Sequence, residues 1–170
     1  MRKVFVLVAM LTMCLGAARA QAGVYAGFAA SDYHVPNVGW QYGPVFGVYY
    51  QPWAAPFIRA GLDVRGSLLG SGNEKVDSIL VGPRVQIHPH VVPLMPYGEI
   101  LIGGGHVNLG QGSAAVNKTA AEYQVVGGID MTVFPRLDWR VAEVSWGSVQ
   151  NVGTSVKPMT VTTGLVLRLP

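Results

Sequence analysis

The sequence predicts an all-β chain that closes into an eight-stranded antiparallel up-and-down transmembrane β-barrel, preceded by a cleavable signal peptide. Three observations lead there. In Ile58-Arg59-Ala60-Gly61-Leu62-Asp63-Val64-Arg65, apolar residues alternate strictly with charge and glycine, so one face of a strand is greasy and the other is polar. The pattern returns in Val81-Gly82-Pro83-Arg84-Val85-Gln86-Ile87 and in Leu165-Val166-Leu167-Arg168-Leu169, which makes it a property of the architecture. Only 12% of residues are charged while 50% are hydrophobic. A water-facing domain of this size carries about a quarter charged residues, so much of the surface is expected to face something else. No apolar run after Ala20 reaches the length of a membrane helix. A membrane chain without helices must close its sheet, because every backbone polar group in hydrocarbon has to be paired within the protein.

At the N-terminus, Arg2 and Lys3 precede an apolar stretch from Val4 to Leu15, and small residues follow up to Ala18-Arg19-Ala20. A signal peptidase reads that small-x-small ending, so cleavage is expected after Ala20, with a signal peptide over 1–20 and a barrel domain over 21–170. Cleavage removes Arg2, Lys3 and Arg19 and takes Lys+Arg from 12 to 9 against 9 Asp+Glu, leaving a formally neutral mature chain. With no basic cluster left, nucleic acid is excluded as a partner. The single cysteine, Cys14, lies within the apolar stretch and lacks the small residues that precede a lipidated cysteine. The mature chain therefore has no disulfide framework.

Eight strands follow in order, each near the ~9 to 11 residues a tilted spanning strand needs. The first, Gly23 to Ala30, points Val24, Ala26 and Phe28 outward; the second, Pro44 to Tyr50, points Phe46, Val48 and Tyr50 outward. The third and fourth are the alternating runs from Ile58 and Val81. The fifth, Tyr97 to Val107, turns Ile100 and Ile102 out and Glu99 and Leu101 in. The sixth, Ala121 to Met131, turns Tyr123, Val125 and Ile129 out and Glu122, Gln124 and Asp130 in. The seventh, Leu137 to Trp146, breaks the rule: strict alternation sends Arg140 and Glu143 to opposite faces, and a charge in the lipid belt costs roughly 2 to 4 kcal/mol for a basic residue, less for an acidic one. The expectation is a bulge near Ala142 that places both inside, or else a location of Glu143 near the interface. The eighth runs from Met159 to Leu169.

Connections Gln51 to Pro56, His88 to Pro96 and Phe134 to Arg136 are short or proline-rich, whereas Ser31 to Gln41, Ser67 to Lys75, Asn108 to Lys118 and Gly147 to Lys157 are longer and rich in Gly, Ser and Asn. Both termini should then lie at the short-turn end. Trp53, Phe57, Tyr97, Phe134 and Trp139 would gather at that rim, and Tyr33, Trp40, Tyr42 and Trp146 at the other, as two interfacial girdles.

The charged residues expected in the lumen are Arg59, Asp63, Arg65, Arg84, Glu99, Glu122, Asp130, Arg140 and Arg168, nearly balanced in sign. Eight strands leave room only for side chains, and buried charges persist when paired. An ion-pair network that plugs the lumen is therefore expected, with a narrow polar pore as the alternative. Catalysis at the outer rim would require His34 or His106 with Ser31, Ser113 or Ser148, and no local motif joins them, so no catalytic residue is assigned. His88 and His90 flank Pro89 in a turn and lack a third ligand, and Gly103-Gly104-Gly105 is followed by no Lys-Ser/Thr; neither metal nor cofactor is expected.

Gly43-Pro44-Val45-Phe46-Gly47-Val48-Tyr49-Tyr50, Pro96-Tyr97-Gly98-Glu99 and Trp139-Arg140-Val141-Ala142-Glu143-Val144 together make the chain resemble the outer-membrane β-barrel family, the small eight-stranded barrels like the OmpA transmembrane domain and opacity-type adhesins. The resemblance runs from Gly23 to Leu169. It implies residence in the outer membrane of a Gram-negative-type envelope, a porin-like fold, contact with outer-membrane lipid and the assembly machinery, and a monomer with a structural or surface-binding role rather than an enzymatic one. Final strands of that family end in an aromatic residue read during assembly, whereas this chain ends Leu167-Arg168-Leu169-Pro170. Recognition of an extracellular ligand would fall to the outer loops, with His34, Trp40 and Tyr42 as candidates. The competing readings are a soluble lipocalin-like barrel with its apolar face turned inward around a ligand, and a lipid-modifying barrel enzyme. A soluble barrel should carry many Lys and Glu on its polar face, where this one carries glycine and sparse charge.

Overall fold

The computed structural model describes residues 21–33, 39–71, 74–89, 92–109, 116–150 and 157–169. The signal peptide, His34, His90 and Ser113 lie outside them. Eight strands make a closed barrel in sequence order: β1 (Gln21–Asp32), β2 (Gln41–Ala54), β3 (Ile58–Ser71), β4 (Glu74–Ile87), β5 (Leu94–Leu109), β6 (Val116–Phe134), β7 (Leu137–Val149) and β8 (Met159–Leu169). Every neighbouring pair is antiparallel, and β8 closes on β1 from Ala22 opposite Leu169 to Asp32 opposite Met159. The sheet has no free edge, so its ladder donors and acceptors meet partners around the circumference.

The alternation sorts the two faces as the sequence indicates. Val24, Phe28, Phe46, Val48, Tyr50, Ile100, Ile102, Tyr123, Val125 and Ile129 are exposed on the outer surface, while Asp63, Arg65, Arg84, Glu99, Asp130 and Arg140 are buried within. A lipocalin-like barrel would have the reverse distribution. The outside of this barrel is apolar and its inside is charged.

The strands are longer than the expected spans, reaching 16 residues in β5 and 19 in β6. The outer ends of the hairpins keep pairing past the apolar belt. Ser71 opposes Glu74, so most of the segment Ser67 to Lys75, expected as a loop, is strand. Likewise Leu109 opposes Val116 within the segment Asn108 to Lys118. Gly, Ser and Asn suggested loops there, but inward serines still suit a polar lumen: Ser67 and Ser78 face each other across β3 and β4 with their hydroxyls 2.7 Å apart.

The bulge in β7 falls where the charges require it. Ile129 opposes Ala142 while Asp130 opposes Arg140, and the register on β8 also shifts between Arg140 and Glu143. One extra residue between the two charges turns both inward, each 1% exposed. At the short-turn end, β6 and β7 are joined by Pro135 and Arg136 alone, and Arg136 adopts a φ of 73° to complete the turn. Its carbonyl oxygen accepts the Arg168 backbone N–H at 2.8 Å, tying the turn to β8.

Two of the expected girdle residues are elsewhere. Tyr97 is buried in the lumen, because its strand position has the same parity as Glu99, and Tyr33 is buried at the outer mouth. Trp53, Phe57, Phe134 and Trp139 remain exposed toward one rim, and Trp40, Tyr42 and Trp146 toward the other.

Candidate functional site in the barrel lumen

Three arginines and three carboxylates close a ring inside the barrel. Arg65 on β3 donates to both oxygens of Glu143 at 2.8 and 2.7 Å and to Glu99 Oε2 at 3.0 Å. Glu99 Oε1 accepts from Arg84, whose other amino group reaches Asp130 Oδ2 at 2.9 Å. Arg140 then joins Asp130 Oδ1 at 3.1 Å to Glu143 Oε2 at 3.0 Å, which returns the circuit to Arg65. The signs alternate around all six groups. Each charge has a counter-charge on two sides, the condition under which ionised groups tolerate burial.

Register brings these residues to one level. Arg84 lies directly opposite Glu99, and Asp130 directly opposite Arg140, so two of the pairs are cross-strand neighbours. The contacts of Arg65 with Glu99 and Glu143 and of Arg84 with Asp130 join strands that are not neighbours, whereas Arg140 and Glu143 lie three residues apart on β7. Arg65 is opposite Gly47, Arg84 opposite Gly61, Glu143 opposite Gly128 and Arg140 opposite Gly164.

Three buried tyrosines fill the space between the guanidinium groups. Arg84 lies 3.8 Å from the Tyr97 ring centre and 4.7 Å from that of Tyr49; Arg140 lies 4.2 Å from Tyr25 and 4.8 Å from Tyr97. Contacts of this kind are worth up to ~2 kcal/mol when water is excluded. Two of their hydroxyls also enter the network: Tyr25 donates to Asp63 Oδ1 at 2.8 Å and Tyr97 to Glu143 Oε2 at 2.5 Å. Each ring rests on a glycine of the adjacent strand, since Tyr49 is opposite Gly23, Tyr25 opposite Gly47 and Tyr97 opposite Gly128. A Cβ on any of the three glycines would overlap the tyrosine.

Of the residues expected in the lumen, the structure joins Arg65, Arg84, Glu99, Asp130 and Arg140 with Glu143 in the ring. Asp63 sits beside it through Tyr25. Arg168 stands apart near the short-turn end, 3.0 Å from Asp138, which in turn accepts from Thr132 at 2.9 Å. Arg59 is half-buried at the same mouth, and among the described residues no ion pair joins it to an acid. Glu122 is buried toward the outer mouth and accepts from the Gln124 amide at 2.7 Å instead of pairing with an arginine.

The tyrosines and Asp138 are the members that sequence reasoning missed. Parity alone places Tyr25, Tyr49 and Tyr97 inside, and the glycine opposite each in hairpin register is the signal that marks them. Among the candidates at the outer rim, Tyr42 is exposed and stacks on Phe28 with ring centres 6.5 Å apart, and Trp40 is exposed just before β2. His106 is exposed within 3.4 Å of Thr119, whereas Ser31 is buried and accepts from Thr160, so the structure does not bring that histidine and that serine together.

The closed eight-stranded barrel has counterparts among solved structures. Neisserial surface protein A superposes with a TM-score of 0.58 over 87% of this chain and 96% of its own, at 14% identity. Its fold is that of the small outer-membrane barrels. The attachment invasion locus protein Ail of Yersinia pestis matches with a TM-score of 0.62 at 12% identity, covering 88% of this chain and 99% of that one. The N-terminal β-barrel domain of OprF from Pseudomonas aeruginosa gives 0.56 at 9% identity, over 88% of this chain and 97% of the other. No protein-family model matches the chain, and no curated protein matches it in sequence.

Proposed function

We propose that this protein is a small integral outer-membrane β-barrel with a structural or surface-binding role, its lumen closed by the arginine–carboxylate ring. One observation carries the reading. Charge is concentrated inside and large apolar side chains outside, from Val24 and Phe28 through Ile79 and Ile102 to Leu165, the arrangement that hydrocarbon demands and water penalises. In this reading residues 1–20 are a signal peptide removed after Ala20, the barrel domain is 21–170, and the outer-membrane assembly machinery inserts it as a monomer.

The surface role is placed at the outer loops, where exposed Trp40 and Tyr42, with His34, would meet an extracellular ligand. One of the similar structures, the Yersinia pestis Ail protein, is described in complex with the heparin analogue sucrose octasulfate, a precedent for recognition on such a barrel. The test is fractionation of cells producing the full chain, followed by electrophoresis with and without boiling. A sarkosyl-insoluble mature product whose mobility shifts on heating is the expected result. A soluble periplasmic product with one mobility in both lanes would overturn the proposal.

A further inference from the structure

Between the ring and the outer mouth lies a cavity of about 20 Å³, bordered by Arg65, Glu122 and Gln124 and by the hydroxyl-bearing residues Ser67, Ser78 and Thr160. Glu122 is 5% exposed, and its two oxygens have unequal surroundings. Oε1 accepts from the Gln124 amide at 2.7 Å, whereas Oε2 has no hydrogen-bond partner among the described residues. The one cation at the cavity, Arg65, is already shared between Glu99 and Glu143. The carboxylate is therefore left without a counter-charge in a compartment rich in oxygen atoms.

From this geometry we propose that the outer lumen holds one monovalent alkali cation, bound by Glu122 Oε2 and neighbouring hydroxyl oxygens. Three features specify the ligand. The cavity has the volume of a single water-sized particle and excludes an organic molecule. Its donors are hard oxygens, with no sulfur or imidazole to favour a transition metal. It supplies a single carboxylate, which balances one positive charge, whereas a divalent ion such as calcium takes six to eight oxygens, commonly from several carboxylates. The Gln124 amide fixes the carboxylate by donating to Oε1, which leaves Oε2 for the ion. Oε2 lies against Gly105, where a Cβ would be 2.9 Å from it.

The site is tested on the detergent-folded mature barrel by thermal unfolding in lithium, sodium, potassium and N-methyl-D-glucamine chloride at equal ionic strength. A ligand that binds only the folded state raises the midpoint with the logarithm of its concentration. The expected result is a saturable upward shift with one of the small ions over N-methyl-D-glucamine, and at least a tenfold weaker apparent affinity in Glu122→Gln. Equal wild-type midpoints in all four salts would overturn the proposal, as would an unchanged ion dependence in Glu122→Gln. If Glu122→Gln does not fold, Ser78→Ala takes its place with the same expected weakening. Broadening of the ²³Na resonance by the wild-type barrel, reversed by excess potassium or lithium, gives an independent reading, and its absence in a protein stabilised by sodium would contradict the site.

Discussion

At the residue scale, the lumen is ordered mostly by pairs that join different strands, with Arg140 and Glu143 on β7 an exception. Glu143 is the most connected acid, accepting from Arg65, Arg140 and Tyr97. Glu143→Gln keeps the shape but leaves two buried guanidinium groups short of a counter-charge. Removing one member of a buried ion pair costs about 3–5 kcal/mol, and denaturant unfolding of the folded barrel should show a loss of that order. The glycine slots give a second prediction. Gly23→Ala forces a methyl group against the Tyr49 ring and should destabilise by about 1–3 kcal/mol, the usual range for overpacking. Tyr49→Leu in the same chain should recover part of that loss, because sites in direct contact do not add. Inward charge was legible from alternation, so Asp63, Arg65, Arg84, Glu99, Asp130 and Arg140 could be assigned to the lumen from the sequence. Which charge meets which was not legible, because contacts across the lumen depend on the stagger of strands around a closed barrel, and alternation within a strand carries no information on stagger.

At the scale of single elements, β7 is the strand whose sequence departs from alternation and whose backbone departs with it. The conflict between Arg140 and Glu143 could be read directly, and the bulge that resolves it could be inferred from the cost of a charge in lipid. Deleting Ala142 would leave Arg140 and Glu143 two positions apart, on one face of a regular strand, so both charges would stay in the lumen without a bulge. Refolding into lipid vesicles should then proceed, and a failure to refold, or a loss of about 2 kcal/mol or more as for a charge turned into the lipid belt, would contradict the role given to the bulge. The turn between β6 and β7 makes a prediction of its own. Arg136 holds a positive φ that costs a non-glycine residue about 1–3 kcal/mol. Because glycine loses more chain entropy on folding, Arg136→Gly should raise stability by about 1 kcal/mol, measured by the same unfolding assay. The strand ends were the least legible feature. Serine, glycine and asparagine marked the outer segments as loops, yet in a closed sheet the backbone continues to pair as long as both strands of a hairpin extend together.

At the scale of the whole molecule, burial is inverted relative to a water-soluble barrel, and the inversion follows from composition. A chain with few charges can place most of those in its strands on one face, and closing the sheet puts that face inside. The ring then occupies the middle of the lumen, Arg168 and Asp138 stand toward the short-turn mouth, and Glu122 stands toward the other. On the proposed function, this ring seals a membrane-spanning cylinder. Current across a planar lipid bilayer containing the purified, folded wild-type barrel tests it most directly. A sealed lumen gives no stepwise conductance above that of the bare bilayer, and reproducible single-channel steps from the wild-type protein would show that the ring leaves a pathway open.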